Sequence, residues 1–199
     1  MLRGDAPDVK TSLYRGNKLK EPNWKTCTEE ELWKYIAQHL AANDISTILV
    51  GGAVAAIYSE GAYRSGDLDL VVETLFTDKL PRIMKQINFV KKEGRHYQHP
   101  LCGHIYVEFC SPPVAIGEDT SIKPAQIRFG GQTLKLYSPT DCIRDRLASY
   151  IHFKSRDCLE QAVLVAKNQR FNAKKIKKWC ESEGAPNAYQ DFLEAMKAK

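Results

Sequence analysis

A β-branched apolar run that ends in two glycines constrains this chain more than any other feature. The run, residues 45–50 (ISTILV), predicts a buried strand, because such side chains pack well on a pleated surface. Gly51-Gly52 breaks the strand, and the apolar residues that follow predict a short helix beginning at the glycines. The N-terminus of a helix presents backbone N–H groups, which favour a bound phosphate, and glycine lets a ligand approach the backbone closely. A glycine pair alone also fits a plain tight turn.

Two carboxylates one residue apart follow on the next predicted strand. In residues 65–72 (SGDLDLVV), Asp67 and Asp69 alternate with apolar side chains, so both point to one face of the strand. Like charges this close raise each other's pKa unless a cation lies between them. Mg2+ takes oxygen ligands, commonly one or two carboxylates together with substrate phosphates. Two solvated aspartates on an exposed face are the simpler interpretation of so short a motif.

A third acid lies on the polar face of a later predicted strand. Residues 102–110 alternate, with Ile105, Val107 and Phe109 on one face and Glu108 on the other. Glu108 is predicted to bind an ion or to accept the proton of an attacking hydroxyl. Together with the glycines, the three acids predict one phosphate and metal site.

The remaining pattern predicts an α+β protein, with a small mixed sheet flanked by helices and followed by a C-terminal helical bundle. Thr28 and Glu31 form a capping box that begins the first helix. A hairpin is predicted to turn at Gly130-Gly131, between residues 125–129 and 132–137, and residues 94–100 are predicted to be a turn. Four helices are predicted after the hairpin, over residues 139–153, 156–168, 172–183 and 186–198. The expected organisation is a flexible arm over residues 1–25, a sheet domain over 26–137 and a helical region over 138–199.

Composition excludes few function classes. The 199 residues carry a net charge of +5, which is compatible with a polyanionic partner. No apolar run approaches the roughly 20 residues that span a bilayer, and no signal-peptide pattern is present, so we expect a cytoplasmic protein without a membrane partner. In that compartment the six scattered cysteines are expected to be free thiols.

The histidines of the middle region leave two interpretations open. His96, His99, Cys102 and His104 offer enough ligand atoms for zinc, but their spacing fits no compact zinc motif, and a turn with partly exposed histidines is the simpler expectation. His96 and Tyr97 either line a nucleotide pocket or lie on a surface loop.

The glycine pair, the Asp-x-Asp strand and the later acid together resemble the polymerase-β-type nucleotidyltransferase superfamily. The chain departs from the common pattern in having glycine where many members have serine, and glutamate as the third acid. Within the superfamily it is most similar to the abortive-infection and toxin–antitoxin (AbiEii-like) nucleotidyltransferases. That similarity rests on Arg64 before the strand, on residues 138–148 and on the charged stretch 154–160.

The resemblance implies transfer of a nucleoside monophosphate from an NTP to a hydroxyl group. Two Mg2+ ions, with Mn2+ as an alternative, are the implied cofactors, held by the three acids. The implied nucleotide-binding residues are Gly51, Gly52, Arg64, Ser65, Arg146, Lys154 and Asp157. The implied acceptor is RNA, in toxin-like members a tRNA 3′ end, and a cognate antitoxin is an implied partner.

Two other functions fit the same residues. One is transfer to a small molecule, as in antibiotic-modifying members of the superfamily. The other is a catalytically silent protein that binds only a nucleotide or a partner. The intact set of three acids argues against the silent alternative.

Overall fold

The computed structural model describes residues 20–73 and 78–198. Most of the predicted N-terminal arm therefore lies outside the described residues. Trp24, within the predicted arm, is buried and stacks on His99 with ring centroids 3.6 Å apart. The described end of the arm thus packs against the sheet domain.

The described residues form a mixed sheet with helices on it and after it. The strands are β1 Thr47–Val50, β2 Asp67–Val72, β3 Val90–Lys91, β4 His96–Gln98, β5 Tyr106–Cys110, β6 Ala125–Phe129 and β7 Gln132–Leu136. The helices are α1 Glu29–Ala41, α2 Gly51–Tyr58, α3 Lys79–Gln86, α4 Pro139–Phe153, α5 Arg156–Asn168, α6 Ala173–Ser182 and α7 Pro186–Lys197. The sheet order is β3-β4-β5-β2-β1-β7-β6, with β2–β5 and β1–β7 parallel and the other pairs antiparallel. The predicted α+β class is confirmed.

Helix α1 begins as its capping box predicts. The Glu31 backbone N–H donates to Thr28 Oγ1 over 3.2 Å, and the Thr28 N–H donates to Glu31 Oε2 over 2.9 Å. Leu32, Ile36 and Leu40 are fully buried and fix the face that the helix turns to the core. This orientation also buries Glu29, whose carboxylate contacts the segment that leads into β2.

The region predicted as a turn contains a strand. Residues 96–98 form β4, which pairs with β5 and places His96 opposite Glu108. Conversely β5 begins at Tyr106, so residues 102–105 of the predicted strand form the loop that leads into it. A strand of three residues is too short to show an alternation in sequence, which explains why the pattern did not predict it.

A buried ion-pair cluster joins the C-terminal helices to the loop before β6. The Arg144 guanidinium is almost fully buried and pairs with Asp141, Nη1 to Oδ1 at 2.9 Å, and with Asp119, Nη2 to Oδ2 at 2.5 Å. It also lies 5.4 Å from the Trp179 ring centroid, and Lys175 Nζ lies 2.7 Å from Asp141 Oδ1. None of the described helices has the length and apolar character needed to cross a membrane.

Candidate active site

The three predicted acids lie together on adjacent strands. Strand β2 lies between β1 and β5, and in this register Asp69 is opposite Val50 on one side and Glu108 on the other. Partners in register on a sheet point to the same face and are separated by about one strand spacing of 4.8 Å. Asp67 lies two residues earlier on β2 and therefore on that face as well. The three carboxylates thus lie on one face of the sheet, and their role as a metal and phosphate site stays a prediction.

Asp69 is a carboxylate whose pKa is shifted by its surroundings. Burial raises its pKa to about 6, and the neighbouring charges of Asp67 and Glu108 act in the same direction. The Arg146 guanidinium partly opposes this rise, and the Asp145 carboxylate adds to it. Burial is the larger cause, and the two neighbouring carboxylates add to it, so a cation between the acids would oppose this rise.

Gly51 lies directly against Asp69. Its φ is +73°, and a Cβ atom placed on it would be 2.3 Å from Asp69 Oδ2, far inside van der Waals contact. Any other residue at position 51 would therefore be strained in its backbone and would displace the carboxylate. The glycine is required both by the backbone conformation and by the close approach of Asp69.

Gly52 makes room for the residues before β2. A Cβ atom on it would be 2.5 Å from Ser65 Oγ and 3.4 Å from the Tyr63 hydroxyl oxygen. The Ser65 hydroxyl in turn donates a hydrogen bond to Asp67 Oδ1. The second glycine thus brings the start of α2 against the hydroxyl that holds Asp67. Tyr63 was not predicted as part of this site, and its position depends on a loop conformation that residue type alone does not indicate.

The N-terminus of α2 has no side-chain partner of its own. Its N-cap residue, Val50, has no side chain that accepts a hydrogen bond, and no acidic residue lies in the first turn. Helix α1 differs, because it has a threonine cap and three glutamates in its first turn. The first N–H groups of α2 and its positive dipole end therefore have no anionic side chain of their own helix beside them.

Glu108 contacts the side chains of Arg95 and His96. Its Oε1 lies 2.9 Å from Arg95 Nη2, and its Oε2 lies 3.3 Å from His96 Nε2. Both partners are about half exposed. His96 therefore contacts the acid site, whereas Tyr97 is buried and packs edge-on against Phe109. No motif in the sequence indicated Arg95, because its contact arises only from the pairing of β4 with β5.

Arg146 approaches the acids from α4 but already has a carboxylate partner. Its Nε and Nη2 donate to Asp145 Oδ2 over 3.1 and 2.6 Å, and Nη1 donates to Gln161 Oε1 over 3.2 Å. Burial acts to lower the pKa of Arg146, but Asp145 outweighs it, so the net shift is upward. The guanidinium stays charged, and it is close enough to Asp69 to affect its pKa. Asp145, the carboxylate partner of Arg146, was not predicted as a site residue.

Three predicted nucleotide-binding residues make no described contact with the acids. Arg64 Nε lies 3.1 Å from Glu29 Oε2, and its Nη2 donates to the Cys27 carbonyl oxygen over 3.2 Å. Lys154 ends α4 in the left-handed conformation and is exposed, and Asp157 is exposed in the first turn of α5. Their role at a nucleotide stays a prediction.

The donor set fits a hard divalent cation. All three acids supply oxygen, as Mg2+ prefers, and the raised pKa of Asp69 indicates negative charge that a cation would neutralise. Glu108 would exchange part of its pairing with Arg95 and His96 for such an ion.

Two solved structures share this architecture. An antigenic nucleotidyltransferase-like protein from Paracoccidioides brasiliensis aligns with a TM-score of 0.58 and 19% identity, over 86% of this chain and 93% of that protein. The antibiotic-resistance factor ANT(2'')-Ia aligns with a TM-score of 0.52 and 13% identity, over 85% of this chain and 94% of that protein. No protein-family model matches the chain, and no curated protein matches it.

The fold is therefore that of nucleotidyltransferase-like proteins. At these identities the likeness extends to the fold, and the assignment of activity depends on the site described above.

Proposed function

We propose that this chain is a Mg2+-dependent nucleotidyltransferase. The proposal rests on one observation: Asp67, Asp69 and Glu108 come together on one sheet face beside Gly51, at the start of α2. In the proposed reaction an acceptor hydroxyl oxygen forms a bond to the α-phosphorus of an NTP. The bond from that phosphorus to the β-phosphate oxygen breaks, and pyrophosphate leaves with the electron pair.

The residues have separable roles in this reaction. Asp67 and Asp69 would hold the ions, and Glu108 is placed to accept the hydroxyl proton or to bind the second ion. When bound, two such ions stabilise the attacking and leaving oxygens of an in-line displacement. The N–H groups at the start of α2 would donate to phosphate oxygens, since no side chain of the helix caps them.

The basic residues near the acids complete the charge balance. Arg146 stays charged beside Asp69. Arg95 pairs with the Glu108 carboxylate, and it would exchange this partner for a phosphate oxygen of the bound NTP. These guanidinium groups would stabilise negative charge that develops on the transferred phosphate.

For the acceptor we propose RNA, as the toxin-like resemblance implies. The net charge of +5 favours association with a polyanion. A small-molecule acceptor is the second candidate, because one structure of the same fold is an antibiotic-resistance factor. A cognate antitoxin protein is part of the RNA proposal only.

The decisive experiment incubates the purified protein with Mg2+, each α-labelled NTP and total RNA. We expect label on RNA, lost by more than about 1,000-fold in Asp69→Asn and Glu108→Gln, since both remove charge from the metal set. Glu194→Gln, an exposed change on α7, is the matched control and should retain full transfer.

The remaining outcomes separate the alternatives. Release of pyrophosphate that requires an added antibiotic, with RNA unlabelled, would support the small-molecule acceptor. Retained NTP binding without transfer to either acceptor would contradict the enzyme proposal. The toxin proposal has its own measurement: induced expression should arrest growth, and expression of Asp69→Asn should not.

A further inference from the structure

A second group of ligand-type side chains lies outside the acid site. Cys27 precedes α1, whereas Cys102 and His104 lie in the loop before β5. The two sulfur atoms are 3.8 Å apart, and Cys102 Sγ is 3.8 Å from His104 Nδ1. One donor atom from each of the three residues lies within 4.8 Å of the other two.

The two separations that involve Cys102 match those of a tetrahedral zinc site. With Zn–S bonds of about 2.3 Å and Zn–N bonds of about 2.0–2.1 Å, tetrahedral angles separate two sulfurs by about 3.8 Å and a sulfur from a nitrogen by about 3.6 Å. The observed separations are 3.8 Å for both pairs. A disulfide would require the sulfurs to be about 2.05 Å apart, so Cys27 and Cys102 are free thiols in this structure.

The histidine is held in the tautomer that a metal requires. His104 Nε2 lies 3.0 Å from the Cys27 carbonyl oxygen, and a carbonyl only accepts hydrogen bonds. Nε2 therefore carries the proton, and the Nδ1 lone pair is left on the side of the Cys102 sulfur. A metal-binding histidine commonly has its other N–H donated to a backbone carbonyl in this way.

The two sulfurs of the cluster lie in the interior, and the imidazole lies at the surface. Both thiols are fully buried, and His104 is exposed, so a cation would enter from the imidazole side and take its fourth ligand from solvent.

We propose that Cys27, Cys102 and His104 bind one Zn2+ ion. The ion would join the segment before α1 to the loop before β5. Arg64 Nη2 also donates to the Cys27 carbonyl oxygen, so the same cluster holds the chain that leads into Asp67. The site lies apart from the three acids, and it does not depend on the proposed nucleotidyl transfer.

This ligand set differs from the one the sequence offered. His99 stacks on Trp24, and His96 pairs with Glu108, so neither histidine is available to the cluster. The missing ligand is Cys27, which is 75 residues away from Cys102 along the chain. Local spacing could not indicate it.

The experiment uses the full chain, reduced and stripped of metal, titrated with Zn2+ and with Co2+. We expect one tight Zn2+ equivalent, a sulfur-to-cobalt charge-transfer band and a higher Tm in the zinc-bound form. Cys102→Ser should lose the band. His104→Ala, a change at an exposed side chain, should weaken Zn2+ binding by more than about 100-fold, since loss of a direct ligand costs more than loss of a supporting residue.

Two controls separate this site from other sources of binding. Cys180→Ser removes a buried thiol outside the cluster and should bind Zn2+ as the wild type does. Asp69→Asn should also keep the cobalt band, because its carboxylate lies in the other site. The proposal is overturned if the wild type shows no charge-transfer band, if His104→Ala binds Zn2+ unchanged, or if the reduced protein re-forms a Cys27–Cys102 disulfide in preference to binding the ion.

Discussion

At the scale of single residues, the candidate site depends on the close approach of Gly51 to Asp69. The glycine has a positive φ, and a Cβ on it would overlap Asp69 Oδ2. We predict that Gly51→Ala loses most of the transfer activity, because the methyl group displaces a metal-binding carboxylate. The left-handed backbone adds about 1–2 kcal/mol of instability. Activity assays and chemical unfolding of the same preparation measure both effects.

Gly61→Ala is the matched control for that change. Gly61 also has a positive φ, of +86°, but no atom lies within 4 Å of its hypothetical Cβ. It should lose a similar 1–2 kcal/mol from the backbone alone and keep its activity. If both variants lose activity equally, then backbone strain, rather than contact with Asp69, explains the requirement for glycine.

The raised pKa of Asp69 predicts a stability that falls as pH rises. The folded, metal-free protein holds a proton on Asp69 up to about pH 6, whereas the unfolded chain loses it near pH 3.9. The folded state binds more protons in this window, so the free energy of unfolding decreases between about pH 4 and 6. The Asp69→Asn variant has no carboxyl group at this position, so its free energy of unfolding should not decrease in this way. It should therefore be more stable than the wild type at pH 7 in EDTA.

Thermal unfolding from pH 4 to 8, with and without Mg2+, measures the effect. Mg2+ should raise the Tm of the wild type at pH 7 and leave Asp69→Asn almost unchanged, since the ion supplies the charge that the site lacks. Asp67→Asn serves as control, because Asp67 is exposed and should give a smaller gain. A variant Asp69→Asn that is less stable than the wild type at pH 7 would contradict the prediction.

Single residues also show the limit of the sequence analysis. Alternation on β2 was enough to place Asp67 and Asp69 on one face, whereas Glu108 joins them through the pairing of β2 with β5. Arg64 was predicted to face the nucleotide, but its guanidinium pairs with Glu29, which only the packing of α1 reveals. Arg95 was not predicted for the same reason, since its neighbour Glu108 lies on a different strand.

At the scale of elements, two serine N-caps differ in what they do. Ser138 Oγ accepts a hydrogen bond from the Asp141 backbone N–H over 3.1 Å at the start of α4. Ser155 occupies the same position before α5 but makes no capping hydrogen bond. We predict that Ser138→Ala costs about 1 kcal/mol of unfolding free energy and that Ser155→Ala costs close to none. Urea unfolding of the two variants distinguishes them, and equal costs would contradict this interpretation.

Helices were predictable from sequence within one or two residues. The four C-terminal helices were predicted to begin near residues 139, 156, 172 and 186, and they begin at Pro139, Arg156, Ala173 and Pro186. Caps and proline mark such boundaries locally. Strand β4 has no comparable local signal, because its three residues are strand only through their hydrogen bonds to neighbours.

At the scale of the whole molecule, the buried Arg144 joins the helical region to the sheet domain. Hydrogen bonds from Ser121, and then from Arg144, hold the pKa of Asp119 well below its usual range. This stabilisation is present above about pH 4 and is lost as pH falls, because the unfolded chain takes up the proton first. Asp119→Asn should therefore be about 1 kcal/mol less stable than the wild type at pH 7.

Acid titration of stability tests that prediction. The gap in Tm between wild type and Asp119→Asn should narrow as pH falls below about 4, because the unfolded wild-type chain then takes up a proton that the folded Asp119 does not. Glu194→Gln, which is exposed on α7, should show no gap at any pH. A gap that stays constant down to pH 2 would mean that Asp119 acts through packing rather than through its charge.

The overall architecture was predictable in class but not in topology. Strand and helix patterns were sufficient for an α+β chain with a helical C-terminal third. The order of the strands was not predictable, because the parallel pairing of β2 with β5 joins residues about 39 positions apart. The cluster of Cys27, Cys102 and His104 was missed for the same reason.

The contact between Gly51 and Asp69 has a consequence for how this protein changes over evolutionary time. A side chain at position 51 and a full-length aspartate at position 69 exclude each other, because both would occupy the same volume. Substitutions at the two positions should therefore be correlated among related sequences. A descendant that gains alanine at 51 is expected to lose the acid at 69 as well. A descendant that retains the acid at 69 is thus expected to retain glycine at position 51.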